Sequence, residues 1–245
     1  MNLFRHIYDF TAFFVRSLFF VWQLGKSKGR IAEQIYNVGF GSLPIIFLVS
    51  AFLGMVTTVQ LSYQLLAYLP RYYLGAAIGR MVLIELGPVL TGLVVCGRCA
   101  SAMAAEVGTM RVTEQIDALE VMAIDPYRFL NFPRILGTLI SLPLLTVFSE
   151  FVAILTGAVY GHLFLNIPFS VFNYGLVRNF FHRDLFGGLL KAVLFSLVIS
   201  NSGCYFGYNV KGGAREVGIA TTYAVVTASI LILLLDFIVA LVVFG

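Results

Sequence analysis

Five long, sparsely charged runs, at about 42 to 65, 81 to 104, 135 to 161, 185 to 207 and 221 to 244, leave this chain few ways to fold. Each can cross about 30 Å of hydrocarbon as a helix, for which roughly 20 apolar residues suffice. The composition agrees, with 60% hydrophobic residues, 11% charged residues and a mean hydropathy of +0.93. An ordinary globular domain carries about 25% charged residues. The predicted fold class is therefore an all-α polytopic membrane protein with five transmembrane helices.

Five spans place the termini on opposite sides. With a cytoplasmic N-terminus, the inner segments hold Arg5, Arg16, Lys26, Lys28, Arg30, Arg98, Arg111, Arg128, Arg134, Lys211 and Arg215, and the outer ones hold Arg71, Arg80, Arg178 and Arg183. Eleven against four fixes that orientation, with Phe244 and Gly245 outside. The net charge of +4 matters less than this distribution, and it implies no nucleic acid. Cys96, Cys99 and Cys204 are an odd number inside apolar segments, which suits small packing residues rather than disulfides or metal ligands.

Residues 1 to 25 contain no run able to span. Asp9, Arg16 and Gln23 recur every seven residues, while Phe13, Phe14, Phe19, Phe20 and Trp22 crowd the rest. This pattern predicts a helix lying in the membrane interface, followed by a short basic linker of Lys26, Lys28 and Arg30. Asp9 and Arg16 interrupt any signal-peptide core, and no A-x-A site follows. The segment from Asn166 to Arg183 is too polar to span and long enough for a short external helix. Gly157/Gly161 and Gly203/Gly207 have the spacing for close helix contact.

The one long charged interruption runs from Glu106 to Pro126. Thr113 is expected to cap a short helix, with Glu114 at its positive end. Val112, Ile116 and Leu119 then share one face, and Glu114, Asp117 and Glu120 another. The orientation makes this helix cytoplasmic.

No phosphate loop, HExxH, GxSxG or repeated Cys/His spacing is present, so the chain is not expected to be an enzyme and has no catalytic residue or metal ligand to name. The polar groups left in or beside spans are Glu85, Arg98, Glu150, Lys191 and Asp236, each costing about 2.5 to 3.5 kcal/mol at a helix centre. Opposite signs predict an interhelical pair of Lys191 with Asp236. Glu85 precedes Leu86-Gly87-Pro88, which would bend its span. Leu61, Leu65 and Tyr68 form an apolar stripe with Gln64 beside it; core packing is the default reading of such a stripe. His6, His162 and His182 have no role beyond interface polarity.

These residues carry a resemblance. Gln34 to Gly39, Glu85-Leu-Gly-Pro88, Gly97 to Ser101 with Ala105 to Gly108, Met110 to Ile116, Met122 to Pro126, Pro133-Arg134, Ser141 to Thr146 and Leu235-Asp-Phe237 are similar to the MlaE family of ABC-transporter permeases. The similarity covers about residue 31 to the end, and the Glu106 to Pro126 block is its most specific part. The resemblance implies a single permease domain, 1–245, made of an interfacial helix with its basic linker (1–30) and a five-span permease (31–245). It implies a homodimer in the inner membrane of a diderm bacterium, N-terminus cytoplasmic and C-terminus periplasmic, moving phospholipid between inner and outer membranes. The implied partners are a cytoplasmic ABC ATPase that binds the ATP, a periplasmic MCE-domain lipid-binding protein and a small STAS-type accessory protein; the chain itself needs no cofactor.

On the same resemblance, the segment between spans 2 and 3 is the coupling helix, with Glu106, Arg111, Glu114, Gln115, Ile116, Asp117, Leu119 and Glu120 at the ATPase. Ile116 and Leu119 would enter an apolar groove there, with Glu114, Asp117 and Glu120 on its basic rim. Leu61, Gln64, Leu65, Tyr68, Glu85 and Pro88 would line a lipid cavity between two copies. Two departures stand out: Ile84 occupies a place where the family often has a basic residue, and Glu150 lies where an apolar residue is expected. The alternative class is an ion- or proton-coupled secondary transporter relaying through Glu85, Glu150, Lys191 and Asp236. A non-transporting membrane scaffold is a third.

Overall fold

The computed structural model describes residues 2–18, 28–65 and 68–245, and every regular element among them is helical. In chain order these are α1 (Asn2–Leu18), α2 (Lys28–Leu65), α3 (Tyr72–Val112), α4 (Gln115–Val121), α5 (Tyr127–Leu165), α6 (Phe169–Arg178), α7 (His182–Tyr208) and α8 (Ala214–Phe244). Helices α2, α3, α5, α7 and α8 are the five long and apolar enough to cross a membrane. The all-α expectation and the number of spans hold. Phe19, Phe20, Trp22, Gln23 and Lys26 lie outside the described residues. In α1, Asp9 and Arg16 are exposed, while Phe13 is buried among the rings of Tyr127, Tyr205 and Tyr208, 5.2 to 5.7 Å away.

Two helix boundaries depart from the hydropathy. Helix α3 starts at Tyr72, well ahead of the apolar run, and carries Arg80 inside it. That charge is tolerated because Arg80 pairs with Asp184 at 3.2 Å and lies over the Phe181 ring. Helix α2 likewise begins at Lys28.

Three of the long helices contain π-helical turns, at Tyr36–Phe40 in α2, Val82–Leu86 and Cys96–Ala100 in α3, and Tyr127–Asn131 in α5. The second has a chemical cause. Pro88 has no N–H to give to the carbonyl four residues back, so the ladder ahead of it widens.

The chain divides into two compact units, Met1–Ser42 with Leu93–Leu142 and Val193–Leu235, and Leu43–Gly92 with Pro143–Ala192 and Asp236–Gly245. In the first, α7 lies directly on α3. A Cβ on Gly203 would come within 2.9 Å of the Ala100 carbonyl oxygen, and one on Gly207 within 2.8 Å of that of Ala104. Glycine at both positions is what permits this approach. In the second, α6 crosses the start of α3 so closely that side chains on Gly75 or Gly175 would land on the Phe172 or Tyr72 carbonyls. Its core comprises Leu74, Ile78, Val82, Ala153, Ile167 and Phe172. The expected helix between spans 3 and 4 is α6. Gly157 faces Gly54 and Thr58, whereas a Cβ on Gly161 would meet only the Thr58 methyl, at 3.9 Å, so that pair works at one end only.

The spans differ in how much they hide. Over its most apolar stretch α7 buries 56% of its residues, and α8 only 17%. Ile230, Leu233 and Phe237 of α8 are all more than half exposed, an apolar face with no partner among the described residues.

Candidate functional site

The second unit builds an ion cluster from three helices. Lys191 of α7 is fully buried, and its Nζ lies 2.5 Å from Glu85 Oε2 and 2.7 Å from Asp236 Oδ1. The expected pairing of Lys191 with Asp236 is therefore present, and Glu85 joins it. Asp236 Oδ1 accepts no well-directed hydrogen bond, so its contact is ionic. Asp236 is 14% exposed and Glu85 44%, so one cation faces two carboxylates, the second of which opens outward. Such a cation can be held in a membrane only because opposite charge offsets its desolvation. The π-helical turn at Val82–Leu86 carries Glu85, and Pro88 behind it is buried.

Glu150 makes no ion pair with this cluster. It is 3% exposed, Oε1 has no hydrogen-bond partner, and it rests between Gly87 and Gly188, where a Cβ would meet Glu150 Cγ at 2.6 Å and Oε1 at 3.4 Å respectively.

The first unit carries α4. Thr113 does not cap it: its Oγ1 donates back to the Thr109 carbonyl at 2.8 Å, finishing α3 instead. The turn is made by Glu114, which adopts a left-handed φ of 58° and accepts through its carbonyl from Ala118 N at 2.9 Å. Ile116 and Leu119 are buried in this chain's own cluster with Val107 and Leu130, so they anchor α4 rather than being offered to a partner groove. The helix instead exposes Glu114, Gln115, Asp117 and Glu120, and after its end Met122, beside Val121 at 88% exposure.

Several of these charges already have partners. Arg111 Nη1 lies 2.5 Å from Asp117 Oδ1, the Tyr208 hydroxyl donates to Glu120 Oε1 at 3.2 Å, and Glu106 Oε1 lies 2.8 Å from Arg134 Nη2. Arg134 itself is 5% exposed. Nearby, Arg30 stacks over Phe129 at 3.7 Å and donates to its carbonyl at 2.9 Å. A cavity of about 170 Å³ opens between Arg30, Glu33, Gln34, Glu106 and Arg134. Neither Arg30 nor Arg134 stood out from spacing, because their partners are far away in sequence.

The apolar stripe resolves differently from the ion cluster. Leu61 is half-buried against the core around Leu74, Leu65 is half-buried, and Gln64 and Tyr68 are exposed, Tyr68 in the turn after α2. Part of the stripe is therefore packing.

Residues 31–242 match the family described as Permease MlaE. A probable ABC transporter permease protein of Synechocystis sp. is 38% identical over 233 residues, covering 93% of this chain and 87% of the relative. One of Rickettsia felis is 37% identical over 213 residues, 85% and 81% of the two chains, and one of Pyropia yezoensis 34% identical over 231 residues, 92% and 86%. Five membrane-crossing helices, a short charged helix between the second and third, and a family match over nearly the whole length lead to one conclusion: the chain belongs to the MlaE permease family.

Proposed function

We propose that this chain is the transmembrane subunit of an ABC transporter that moves phospholipid between the inner and outer membranes of a diderm bacterium, with ATP hydrolysed on a separate cytoplasmic subunit. The observation that carries the reading is α4. A seven-residue helix fixed from beneath by Ile116 and Leu119, yet presenting Glu114, Asp117, Glu120, Val121 and Met122 outward, is suited to transmit a push from a docked partner. A loop that served only as a linker would not need that anchor. Glu106, Arg111 and Gln115 complete the docking surface. The chain acts as one permease domain in a homodimer, N-terminus cytoplasmic and C-terminus periplasmic, with an MCE-domain protein on the periplasmic side and a STAS-type protein on the other.

Leu61, Gln64, Leu65 and Tyr68, with Glu85, line the lipid path between the two copies, and Pro88, buried behind them, shapes it by widening the turn that carries Glu85. An acyl chain gains little by leaving one apolar medium for another, so the path needs only to be apolar and open, and narrowing it releases the lipid. Co-purification with the cognate ATPase tests the first part: Glu114→Lys with Asp117→Lys should weaken it, and unchanged recovery with unchanged ATP turnover would sink the coupling role. Photo-crosslinkers at Leu61, Leu65 and Tyr68 test the path. They should capture labelled phospholipid where one at Arg128 does not, and equal labelling at all four positions would mean ordinary packing.

The cluster of Glu85, Lys191 and Asp236 favours a second reading, a proton- or ion-coupled secondary transporter, since intramembrane ionisable groups often relay charge. Lipid movement in proteoliposomes that persists on a proton gradient without the ATPase would select it.

A further inference from the structure

Arg98 is an exposed cation inside a membrane-crossing helix, and no carboxylate lies within ion-pair distance of it among the described residues. Its guanidinium is nonetheless held still. Nη1 and Nη2 both donate to the Asn37 carbonyl at 3.0 Å, and Nη1 also donates to Ser42 Oγ at 2.7 Å and, more weakly, to Cys99 Sγ at 3.6 Å. Gly41 makes room for this, because a Cβ there would collide with Nη2. Asn37 and Arg98 each sit in a π-helical turn, of α2 and α3 respectively.

The bonds use up one part of the fork and spare another. Of the five N–H groups of a guanidinium, those spent are the pair at the tip and the outer one on Nη1. The two remaining, on Nε and the outer side of Nη2, point in parallel along one edge. That edge is the one that takes two oxygens of a carboxylate or phosphate at once. Arg98 lines a cavity of about 250 Å³ whose other walls include Gln34, Asn37, Val38, Met103 and Glu106, and the Glu106 carboxylate is already engaged by Arg134.

We propose that Arg98 binds the phosphodiester of a membrane phospholipid through this edge. A cation fixed in place, without a carboxylate partner among the described residues and set in a helix that crosses the bilayer, meets lipid phosphate as the abundant oxyanion of its surroundings. The partly apolar cavity wall suits the glycerol and first methylenes next to that phosphate. The proposal requires only that the chain resides in the membrane, so it stands or falls separately from the transport reading.

Native mass spectrometry of the full-length chain titrated with phosphatidylglycerol tests it. Arg98→Gln should weaken retention of one lipid per chain about tenfold or more, since two charge-assisted bonds are lost. Arg98→Lys should fall between, keeping the charge but losing the fork. Gly41→Ala should weaken binding although the arginine remains. Diacylglycerol of the same chain length should bind all four proteins alike, and excess inorganic phosphate should leave the bound lipid in place.

Equal phosphatidylglycerol retention by wild type and Arg98→Gln would overturn the proposal, as would the same losses with diacylglycerol. Displacement by inorganic phosphate would reassign the site to a free anion. A phospholipid with a photoreactive headgroup gives a check on the unaltered protein: it should label peptides containing residues 34–42 and 96–106, and failure to label either would also count against the site.

Discussion

Two sets of charges, one in each unit, are handled in opposite ways. In the second unit a fully buried lysine is shared by two carboxylates. In the first, Arg111 pairs with Asp117 at the surface, their side chains being 35% and 52% exposed. Distances are similar, yet the energetics are not. Removing one partner from a buried group strands a charge in a poor solvent, whereas water replaces a lost partner at the surface. The buried cluster is thus committed to holding helices together, while the exposed pair is free to exchange partners.

The sharpest way to break this contrast is at Lys191. Lys191→Met leaves Glu85 and Asp236 facing each other, and should cost about 3 to 5 kcal/mol of stability. Adding Asp236→Leu should recover most of the loss, because the remaining carboxylate is Glu85, which reaches outward. Thermal unfolding in detergent measures both, and a double variant no better than the single one would disprove the pairing.

Next in size is a steric test that touches no charge. Gly175→Leu would drive α6 off the start of α3 and should cost about 1 to 3 kcal/mol, seen as early proteolysis within Phe169–Arg178. A smaller change of opposite sign is expected at Glu150, whose buried oxygen lacks a partner. Glu150→Met, unbranched and of similar length, should raise the unfolding temperature, by about 1 kcal/mol or more of stability. The smallest expected effect on stability is at the exposed pair: Arg111→Gln should change it by about 1 kcal/mol or less in the same assay. A loss at Arg111 as large as that at Lys191 would erase the distinction between the units.

The parts of this fold legible in the sequence were those set by the bilayer. Long apolar runs have one backbone solution in hydrocarbon, so the five helices followed directly. Lys191 and Asp236 could be paired because each is expensive alone and their signs are opposite. Glu85 was visible as a charge beside a proline, but nothing in its spacing told that it would complete a cluster with residues more than a hundred positions away. At α4 the periodicity correctly marked Ile116 and Leu119 as a buried face. It could not say what would bury them, and the answer was the chain itself. Thr113 failed as a cap because its hydroxyl had a nearer carbonyl, at Thr109, in the helix it ends. Arg98 was visible as a charge within a span, but nothing in its spacing told what would hold it, since its partners are a backbone carbonyl and a serine on another helix.

The two π-helical turns of α3 have a consequence for chain length. Each holds about one residue more than a regular turn, and one residue corresponds to about 100° of rotation but only about 1.5 Å of rise. Deleting a single residue within Cys96–Ala100 would only return that turn to a regular one, whereas deleting one from the regular helix just after it, at Ala102, would still leave α3 ample to cross a bilayer. The second deletion would also swing Ala104 and Val107 away from Gly207, and turn the base on which α4 is seated. Along this helix, a difference in length too small for a membrane to notice is a difference of more than a quarter turn in which residues meet.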